Sequence, residues 1–257
     1  MRILLTNDDG IHAPGLQVLE RIAGALSDDV WVIAPEAEQS GAGHSLTLNQ
    51  PLRFRKAASR RYAILGTPTD CVMMAVNRIM QDERPDLILS GVNRGANLGE
   101  DVTYSGTIAA AMEGTLTGVK SIALSQAMDA QKGRVDWSAA ETHAPQIIEN
   151  LLAQDWPNNV LMNVNFPAVG AGSVRGIRAT HQGQRNLTDM RIEQRHDMRG
   201  IPYYWFGLSR ELGAQPSDSD LQVVHDGFIS VSPLHLDLTH EQTLRSLSAS
   251  LEQDFEG

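Results

Sequence analysis

The chain has 257 residues, of which 21 are basic and 31 acidic, and its formal net charge is −10. With 42% apolar and 20% charged residues, it can form a hydrophobic core and lacks the composition of a disordered protein. The acidic excess argues against nucleic acid as a bulk electrostatic partner, because neutralising a phosphate backbone requires a basic surface. It does not argue against a small phosphate ester, which a few donors or a metal ion can hold.

The single cysteine, Cys71, excludes an intramolecular disulfide and a cysteine-based zinc cluster. The opening MRILLTNDDG has neither the apolar core nor the cleavage site of a secretion signal. No segment approaches the roughly 20 apolar residues that span a bilayer. We therefore expect a cytoplasmic protein with no membrane partner.

Apolar periodicity predicts a doubly wound, mostly parallel α/β body over residues 1–165. Residues 2–34 form a βαβ unit, in which a buried strand ends at an Asn-Asp-Asp-Gly turn and a helix follows Pro14. The pattern then predicts strands at 51–56, 62–65, 86–90, 121–125 and 160–165, and helices at 69–80, 108–116 and 137–153.

After Pro167 the pattern changes to strands separated by glycines, at 174–180, 202–206 and 227–232, with a helix at 240–254. Residues 166–257 are therefore predicted to be a β-rich extension that ends in a helix. The segment after residue 226 is apolar and extended, and strands that cannot complete their own sheet often pair across subunits. This predicts an oligomer in which the segment contacts a neighbouring subunit.

Small polar residues follow three predicted strands. Asp8 and Asp9 follow the first strand, Ser40 follows the second, and Asn93 follows the strand at 86–90. Ligands of open α/β sheets bind outside the carboxyl ends of the strands, where such loops converge. Two carboxylates, a hydroxyl and an amide oxygen suit Mg²⁺, Mn²⁺ or Ca²⁺ rather than zinc or copper.

Each of these residues also has a purely structural interpretation. Asp-Asp-Gly is a common turn, Ser40 before a glycine can close a turn, and Asn93 can hold a left-handed loop position. The joint placement after three strands favours a metal site. With a metal bound there, either Asp8 or Asp9 can serve as the base toward an attacking water.

A second candidate site precedes the Ala-rich helix at 108–116. Ser105, Gly106 and Thr107 stand at the start of this helix, where unpaired N–H groups and the helix dipole suit an anion. Asn97, earlier in the same loop, adds an amide donor. The structural alternative is an ordinary helix cap formed by a serine or threonine.

A metal site next to an anion site favours hydrolysis of a phosphate ester. Two other functions are compatible with part of the pattern. A dinucleotide-dependent oxidoreductase would share the βαβ unit, but it needs a glycine-rich first turn, and the two anions here would repel a pyrophosphate. A non-enzymatic nucleotide sensor would bind nucleotide without turnover.

Five blocks in order along the chain carry a resemblance to a known family. They are LLTNDDG, SGAGHSLT, GTPTDCV, SGVNRGANLGEDVTYSGTIAAAMEG and, near the C-terminus, DGFISVSPLHLDLT. Together they resemble the SurE family of stationary-phase survival proteins, which are metal-dependent 5′/3′-nucleotidases. The resemblance implies a Rossmann-like body, a C-terminal part that exchanges between subunits, and a homodimer or homotetramer.

The resemblance also implies site residues and substrates. Asp8, Asp9, Ser40 and Asn93 would bind one divalent metal ion per subunit, Mg²⁺ or Mn²⁺. The substrates would be nucleoside 5′- and 3′-monophosphates, and some members of the family also cut polyphosphate.

Overall fold

The computed structural model of the protein describes residues 1–129, 133–185, 191–207 and 213–251. In chain order, the elements are β1 (Arg2–Thr6), α1 (Pro14–Leu26), β2 (Asp29–Pro35), β3 (Phe54–Ala58), β4 (Arg61–Ile64), α2 (Pro68–Met74), β5 (Leu87–Arg94), α3 (Gly106–Leu116), β6 (Lys120–Gln126), α4 (Ser138–Leu152), β7 (Val160–Phe166), β8 (Ile177–Ala179), β9 (Arg191–His196), β10 (Pro202–Gly207), α5 (Asp220–His225), β11 (Ile229–His235) and α6 (Glu241–Leu251). A π-helical turn, Ala75–Ile79, continues α2, and a 3₁₀ turn, Gly99–Thr103, precedes α3.

Nine of the strands form one sheet in the order β3-β4-β2-β1-β5-β6-β7-β11-β8. The pairs from β4 through β2, β1, β5 and β6 to β7 are all parallel, whereas β3 and β11 run antiparallel to β4 and β7. From β1 the chain first moves outward to β2 and β4, and then returns to β5 on the other side of β1. The strand order therefore reverses at β1, which is where open α/β sheets bind ligands.

Helices cover both faces of the sheet because its central strands are buried on both sides. In β1, Ile3 and Leu5 pack on one face against α1 and α4, while Leu4 packs on the other against α2. Side chains on opposite faces alternate along the strand, so a continuous apolar run supplies two cores. The doubly wound, mostly parallel α/β fold predicted from the sequence is confirmed.

Several predicted elements differ in extent from those observed, and two of these differences lie in the helix after residue 68 and in the strand that carries Asn93. The predicted helix at 69–80 changes to a π-helical turn after Met74. The strand predicted at 86–90 continues to Arg94, with a shift in its pairing with β6 between Ser90 and Asn93. Asn93 is therefore the second-last residue of β5 and does not lie in a loop beyond it.

The sheet continues across the boundary expected at residue 165. Both β8 and β11 lie beyond that boundary, and β11 pairs with β7 on one edge and with β8 on the other. The oligomer was predicted on the argument that a strand without a complete sheet pairs with another subunit. Because β11 is hydrogen-bonded to strands of its own chain on both edges, that argument does not apply to it. The prediction of two domains, 1–165 and 166–257, is not tested by this pairing and stays a prediction.

The remaining C-terminal elements lie outside the main sheet. Strands β9 and β10 form a separate antiparallel hairpin, and α6 has no buried residue. Residues 252–254 of the helix predicted at 240–254 are outside the described part of the chain. None of the described helices combines the length and hydropathy needed to cross a membrane.

Candidate active site

A cleft of about 540 Å³ opens where the loops after β1, β2 and β5 meet. Six of the residues predicted from the sequence line it: Asp8, Asp9, Ser40, Asn93, Asn97 and Ser105. Backbone hydrogen bonds tie the loops together, since Gln39 N–H donates to the Asp8 carbonyl (2.7 Å) and Gly43 N–H donates to the Tyr104 carbonyl (3.2 Å). The convergence predicted at this edge of the sheet is what the structure shows.

Asp8 is the most deeply buried acid of the cleft. Its side chain follows β1 directly, it is only 5% exposed, and its Oδ1 accepts a 2.6 Å hydrogen bond from the hydroxyl of Thr107. Burial raises the pKa of Asp8 from 3.8 to about 6; the Thr107 bond opposes this rise, and the charge of Asp9 adds to it. A cation in the cleft would favour the ionised carboxylate.

Asp9 is less buried than Asp8, and its pKa is also raised by burial and by a neighbouring negative charge. Its Oδ2 accepts a hydrogen bond from the backbone N–H of Arg94 at 3.2 Å. Burial raises its pKa, the Arg94 N–H lowers it, and the nearby charge of Glu38 raises it again. Asp9 and Glu38 both line the cleft with Asp8, so negative charge is concentrated there.

Ser40 and Asn93 complete the predicted ligand set. The Ser40 hydroxyl donates to Oε1 of Glu38 at 2.8 Å, which leaves its oxygen lone pairs for a ligand. The Asn93 Nδ2 donates to the carbonyl of Gly95 at 2.9 Å. A carbonyl can accept only from the amide nitrogen, so the amide oxygen of Asn93 is the atom left to face a cation.

The residues present fit a hard divalent cation. Within the described residues no group of three or more His, Cys, Asp or Glu side chains could hold a metal, and a site in this cleft would combine carboxylates with neutral oxygens. Two neighbouring carboxylates with raised pKa values, together with a hydroxyl and an amide oxygen, are such a set. A divalent ion would offset the repulsion and the burial cost that raise these pKa values.

At the start of α3, two of the hydroxyls predicted to bind phosphate also make hydrogen bonds within the protein. Ser105 lines the cleft and caps the helix, with its Oγ accepting from Ile108 N–H at 3.1 Å. Thr107 is fully buried, and its hydroxyl donates a hydrogen bond to the carboxylate of Asp8. Thr107 does not line the cleft itself. A Cβ at Gly106 would lie 2.8 Å from the Asp8 Cβ, so close packing against Asp8 accounts for the glycine.

Asn97 lines the cleft, but its amide nitrogen already has a partner. Nδ2 donates to Oγ of Ser125 at 2.8 Å, and its backbone N–H donates to Oδ1 of Asn165 at 2.8 Å. One of the two N–H groups of Nδ2 is thus used inside the protein, and the other remains to donate to a ligand. The substrate-binding roles assigned from the sequence to Asn97, Ser105, Gly106 and Thr107 remain predictions.

Several residues around the cleft were not found from the sequence. Arg94, Glu38 and Tyr104 line it, and only the tertiary structure brings them there. Asn163 and Asn165 lie beneath it and did leave a signal. They are two asparagines spaced by two in the otherwise apolar strand VLMNVNF, which places both on one buried face.

Comparison with known proteins identifies relatives over almost the whole length. The sequence profile of the family described as survival protein SurE matches residues 3–189. A protein named 5′-nucleotidase SurE from Parvibaculum lavamentivorans is 57% identical over 252 residues, covering 98% of this chain and 91% of that protein. The protein of the same name from Paramagnetospirillum magneticum is 55% identical, covering 97% and 95%.

A solved structure agrees with the sequence comparisons. The crystal structure of the SurE protein from Aquifex aeolicus superposes with a TM-score of 0.83 at 37% sequence identity, and the match covers 97% of this chain and 99% of that one. Fold, profile and identity coincide over the segments that form the cleft, and on these grounds the chain belongs to the SurE family.

Proposed function

We propose that the protein is a divalent-metal-dependent phosphomonoesterase that hydrolyses nucleoside monophosphates to nucleoside and phosphate. The observation that carries the proposal is the cleft itself, in which Asp8, Asp9, Ser40 and Asn93 lie beside the N-terminus of α3. One cleft thereby combines ligands for a hard cation with a seat for an anion. The name 5′-nucleotidase, given to relatives of 54–57% identity, supports the nucleotide as substrate.

Asp8, Asp9, Ser40 and Asn93 would hold one Mg²⁺ or Mn²⁺ ion, which supplies Lewis acidity toward a phosphoryl oxygen and a bound water. Thr107 keeps the Asp8 carboxylate oriented through its hydrogen bond. Asp8 and Asp9 are the groups available to accept the proton of the attacking water.

The start of α3 would bind the phosphate. Ser105 is both the N-cap and a cleft residue, so its O–H can donate to a phosphoryl oxygen while its lone pair accepts from Ile108 N–H. The positive end of an 11-residue helix adds to this attraction. The backbone N–H groups of the first turn are the other donors in reach of an anion there.

The nucleoside would lie against Tyr104. Its side chain lines the same cleft and is 56% exposed, and it precedes the proposed phosphate residue Ser105. Stacking of a base on an aromatic ring contributes about 1–3 kcal/mol and depends little on which base is present. Nucleoside 3′-monophosphates and short polyphosphate are included in the proposal because of the resemblance described above.

The test is phosphate release from a panel of nucleoside 5′- and 3′-monophosphates with Mg²⁺, Mn²⁺ or Co²⁺, and with EDTA. We expect turnover with a divalent ion and none with EDTA. Nucleotide binding without phosphate release would favour the sensor, and nicotinamide-dependent redox activity would favour the oxidoreductase. Full activity of metal-stripped protein would show that the metal assignment is wrong.

We also propose a homodimer or homotetramer in the cytoplasm, with no nucleic acid partner. The support is apolar surface on the elements outside the main sheet. Leu244, Leu247 and Leu251 of α6 are 46–66% exposed, and Tyr204 and Trp205 of the β9–β10 hairpin are 54% and 58% exposed. Light scattering at micromolar concentration that gives the 28.0 kDa mass of one chain would contradict the oligomer.

A further inference from the structure

Four polar side chains form a buried hydrogen-bonded network beneath the loop that follows β5. Asn97 belongs to the loop and is 7% exposed, whereas Ser125 on β6 and Asn163 and Asn165 on β7 are fully buried. Ser125 and Asn165 are partners in the β6–β7 register, and Asn163 lies two residues from Asn165, so the strand residues share one face. Burying amides and hydroxyls costs free energy unless they are bonded, so apolar packing does not account for them.

The network holds the backbone of Asn97 at both of its polar atoms. The Asn97 N–H donates to Oδ1 of Asn165 at 2.8 Å, and its carbonyl accepts from Nδ2 of Asn163 at 2.9 Å and Nδ2 of Asn165 at 3.2 Å. Asn165 Nδ2 also donates to Oδ1 of Asn163 at 3.1 Å. These bonds determine the orientation of both strand amides. Of the two ends of a side-chain amide, only the oxygen can accept from the Asn97 N–H, and only the nitrogen can donate to the Asn97 carbonyl.

The side chain of Asn97 is held as well, through its 2.8 Å hydrogen bond with Ser125. Asn97 nevertheless lines the cleft, together with the proposed metal ligand Asn93 and with Ser105 at the helix start. Among the described residues, β7 supplies no side chain that lines this cleft. In the described part of the chain, the side chains of β7 can therefore affect the cleft through Asn97, to which they are hydrogen-bonded.

We propose that Asn163 and Asn165 are positioning residues, which fix Asn97 in the conformation needed to bind the nucleotide. The inference rests on the proposed function, because it takes Asn97 to contact the substrate. Neither strand asparagine touches the substrate in this arrangement. Losing one would release Asn97 and weaken nucleotide binding, with the metal ligands left in place.

The test compares two variants of similar side-chain volume with a buried control on the same sheet. Asn165→Leu removes a partner from both the N–H and the carbonyl of Asn97, whereas Asn163→Leu removes only one of the two donors to that carbonyl. The control is Ser121→Ala, a fully buried hydroxyl at the other end of β6 that donates to the Val119 carbonyl. Kinetics use adenosine 5′-monophosphate with Mn²⁺, and amide hydrogen exchange is followed in residues 95–98.

We expect Asn165→Leu to accelerate exchange at 95–98 and to lower kcat/KM by about tenfold or more, mainly through KM. Asn163→Leu should have a smaller effect in the same direction, and Ser121→Ala should stay within about twofold of wild type. If Asn165→Leu does not fold, Asn163→Leu decides. A kcat/KM within about twofold of wild type in the folded asparagine variants would show that the network is only structural and overturn the proposal.

The proposed function can fail separately. If the wild type releases no phosphate, the dissociation constant of adenosine 5′-monophosphate from calorimetry takes the place of KM, since binding needs no turnover. Weaker binding in the asparagine variants would then support the positioning role, and unchanged binding would overturn it. A wild type that neither hydrolyses nor binds the nucleotide would overturn both proposals.

Discussion

The hydroxyl of Thr107 donates a 2.6 Å hydrogen bond to Oδ1 of Asp8, across 99 residues of sequence. Both residues are buried, and this bond is the main contact that lowers the pKa of Asp8 against the effect of burial. The relationship connects the metal side of the cleft with the first turn of α3. A change at Thr107 therefore affects the cation as well as the helix.

Replacing Thr107 with valine should weaken metal binding. Thr107→Val keeps the shape but removes the hydrogen bond that orients the Asp8 carboxylate, and the pKa of Asp8 rises further, so protons also compete better with the cation. We expect Mn²⁺ affinity and kcat/KM near pH 7 each to fall by about tenfold, equivalent to about 1.4 kcal/mol. Thr107→Ser should restore most of this loss.

The matched control is Thr115→Val in the same helix. Thr115 is also buried, and its hydroxyl donates to the Ala111 carbonyl at 2.9 Å, away from the cleft. It should change stability and leave Mn²⁺ affinity unaltered. Equal metal affinities in Thr107→Val and wild type by calorimetry would show that the Asp8 contact has no role in the site.

Metal binding should depend on pH through Asp8. In the metal-free protein Asp8 has a pKa of about 6, so below that pH it is protonated and must lose a proton before it can bind a cation. Mn²⁺ affinity should fall by about fivefold from about pH 6 to about pH 5. Calorimetric affinities that stay constant over this range would contradict the assignment of Asp8 as a ligand.

Asp8→Asn should stabilise the metal-free protein while abolishing activity. Burial raises the folded pKa of Asp8 above the unfolded value of 3.8, so the stability associated with its neutral form is present below about pH 4 and is lost as pH rises through about 6. By about pH 7 the loss is roughly 3 kcal/mol. Urea unfolding in EDTA should show a more stable variant near pH 7 and similar stabilities near pH 4.

The turnover of Asp8→Asn, and of Asp9→Asn, should fall by orders of magnitude with the fold intact. A near-normal rate in either variant would show that its carboxylate is not a ligand.

Gly106→Ala should impair the site although alanine is the better helix former. The added Cβ would lie 2.8 Å from the Asp8 Cβ and 3.0 Å from the Pro68 Cγ, so Asp8 must shift. We expect kcat/KM to fall by about tenfold or more. The control is Gly24→Ala in α1, where the added Cβ would have no neighbouring atom within 4 Å. This variant should have normal kinetics and a free energy of unfolding that is higher by about 0.5–1 kcal/mol.

Ser105→Ala distinguishes a helix cap from a phosphate-binding residue. Loss of the cap alone costs about 1 kcal/mol of stability and spares catalysis. Because Ser105 also lines the cleft, we expect an additional fall of about tenfold in kcat/KM. Ser219→Ala, which removes the equivalent cap of α5, is the control and should lose stability only. Identical kinetics in the two variants would make Ser105 a cap and nothing more.

Tyr104→Ala should affect only substrates that carry a base. If the ring stacks on the nucleobase, kcat/KM for adenosine 5′-monophosphate falls by about tenfold, while that for ribose 5-phosphate is unchanged. Tyr104→Phe keeps the ring and should behave as wild type. An equal loss for both substrates would assign Tyr104 to the structure of the loop.

The sequence alone was sufficient for the features that depend on local pattern. The apolar run before Asp8, the helical spacing after Pro14 and the later strands predicted a parallel α/β sheet, and the structure confirms it. Because loops after parallel strands leave the same edge, the sequence also predicted which polar residues would share a cleft. Asp8, Asp9, Ser40 and Asn93 all line it.

Only the tertiary structure decided how the polar groups are used. The direction of the Thr107 hydroxyl depends on how α3 packs against the end of β1, and no pattern within either segment contains that information. The partners of the Asn97 backbone likewise come from β7, 66 and 68 residues away. The edge partners of β11 depend on sheet order in the same way. Local propensity determines which elements form, but a hydrogen bond between distant residues depends on how those elements pack.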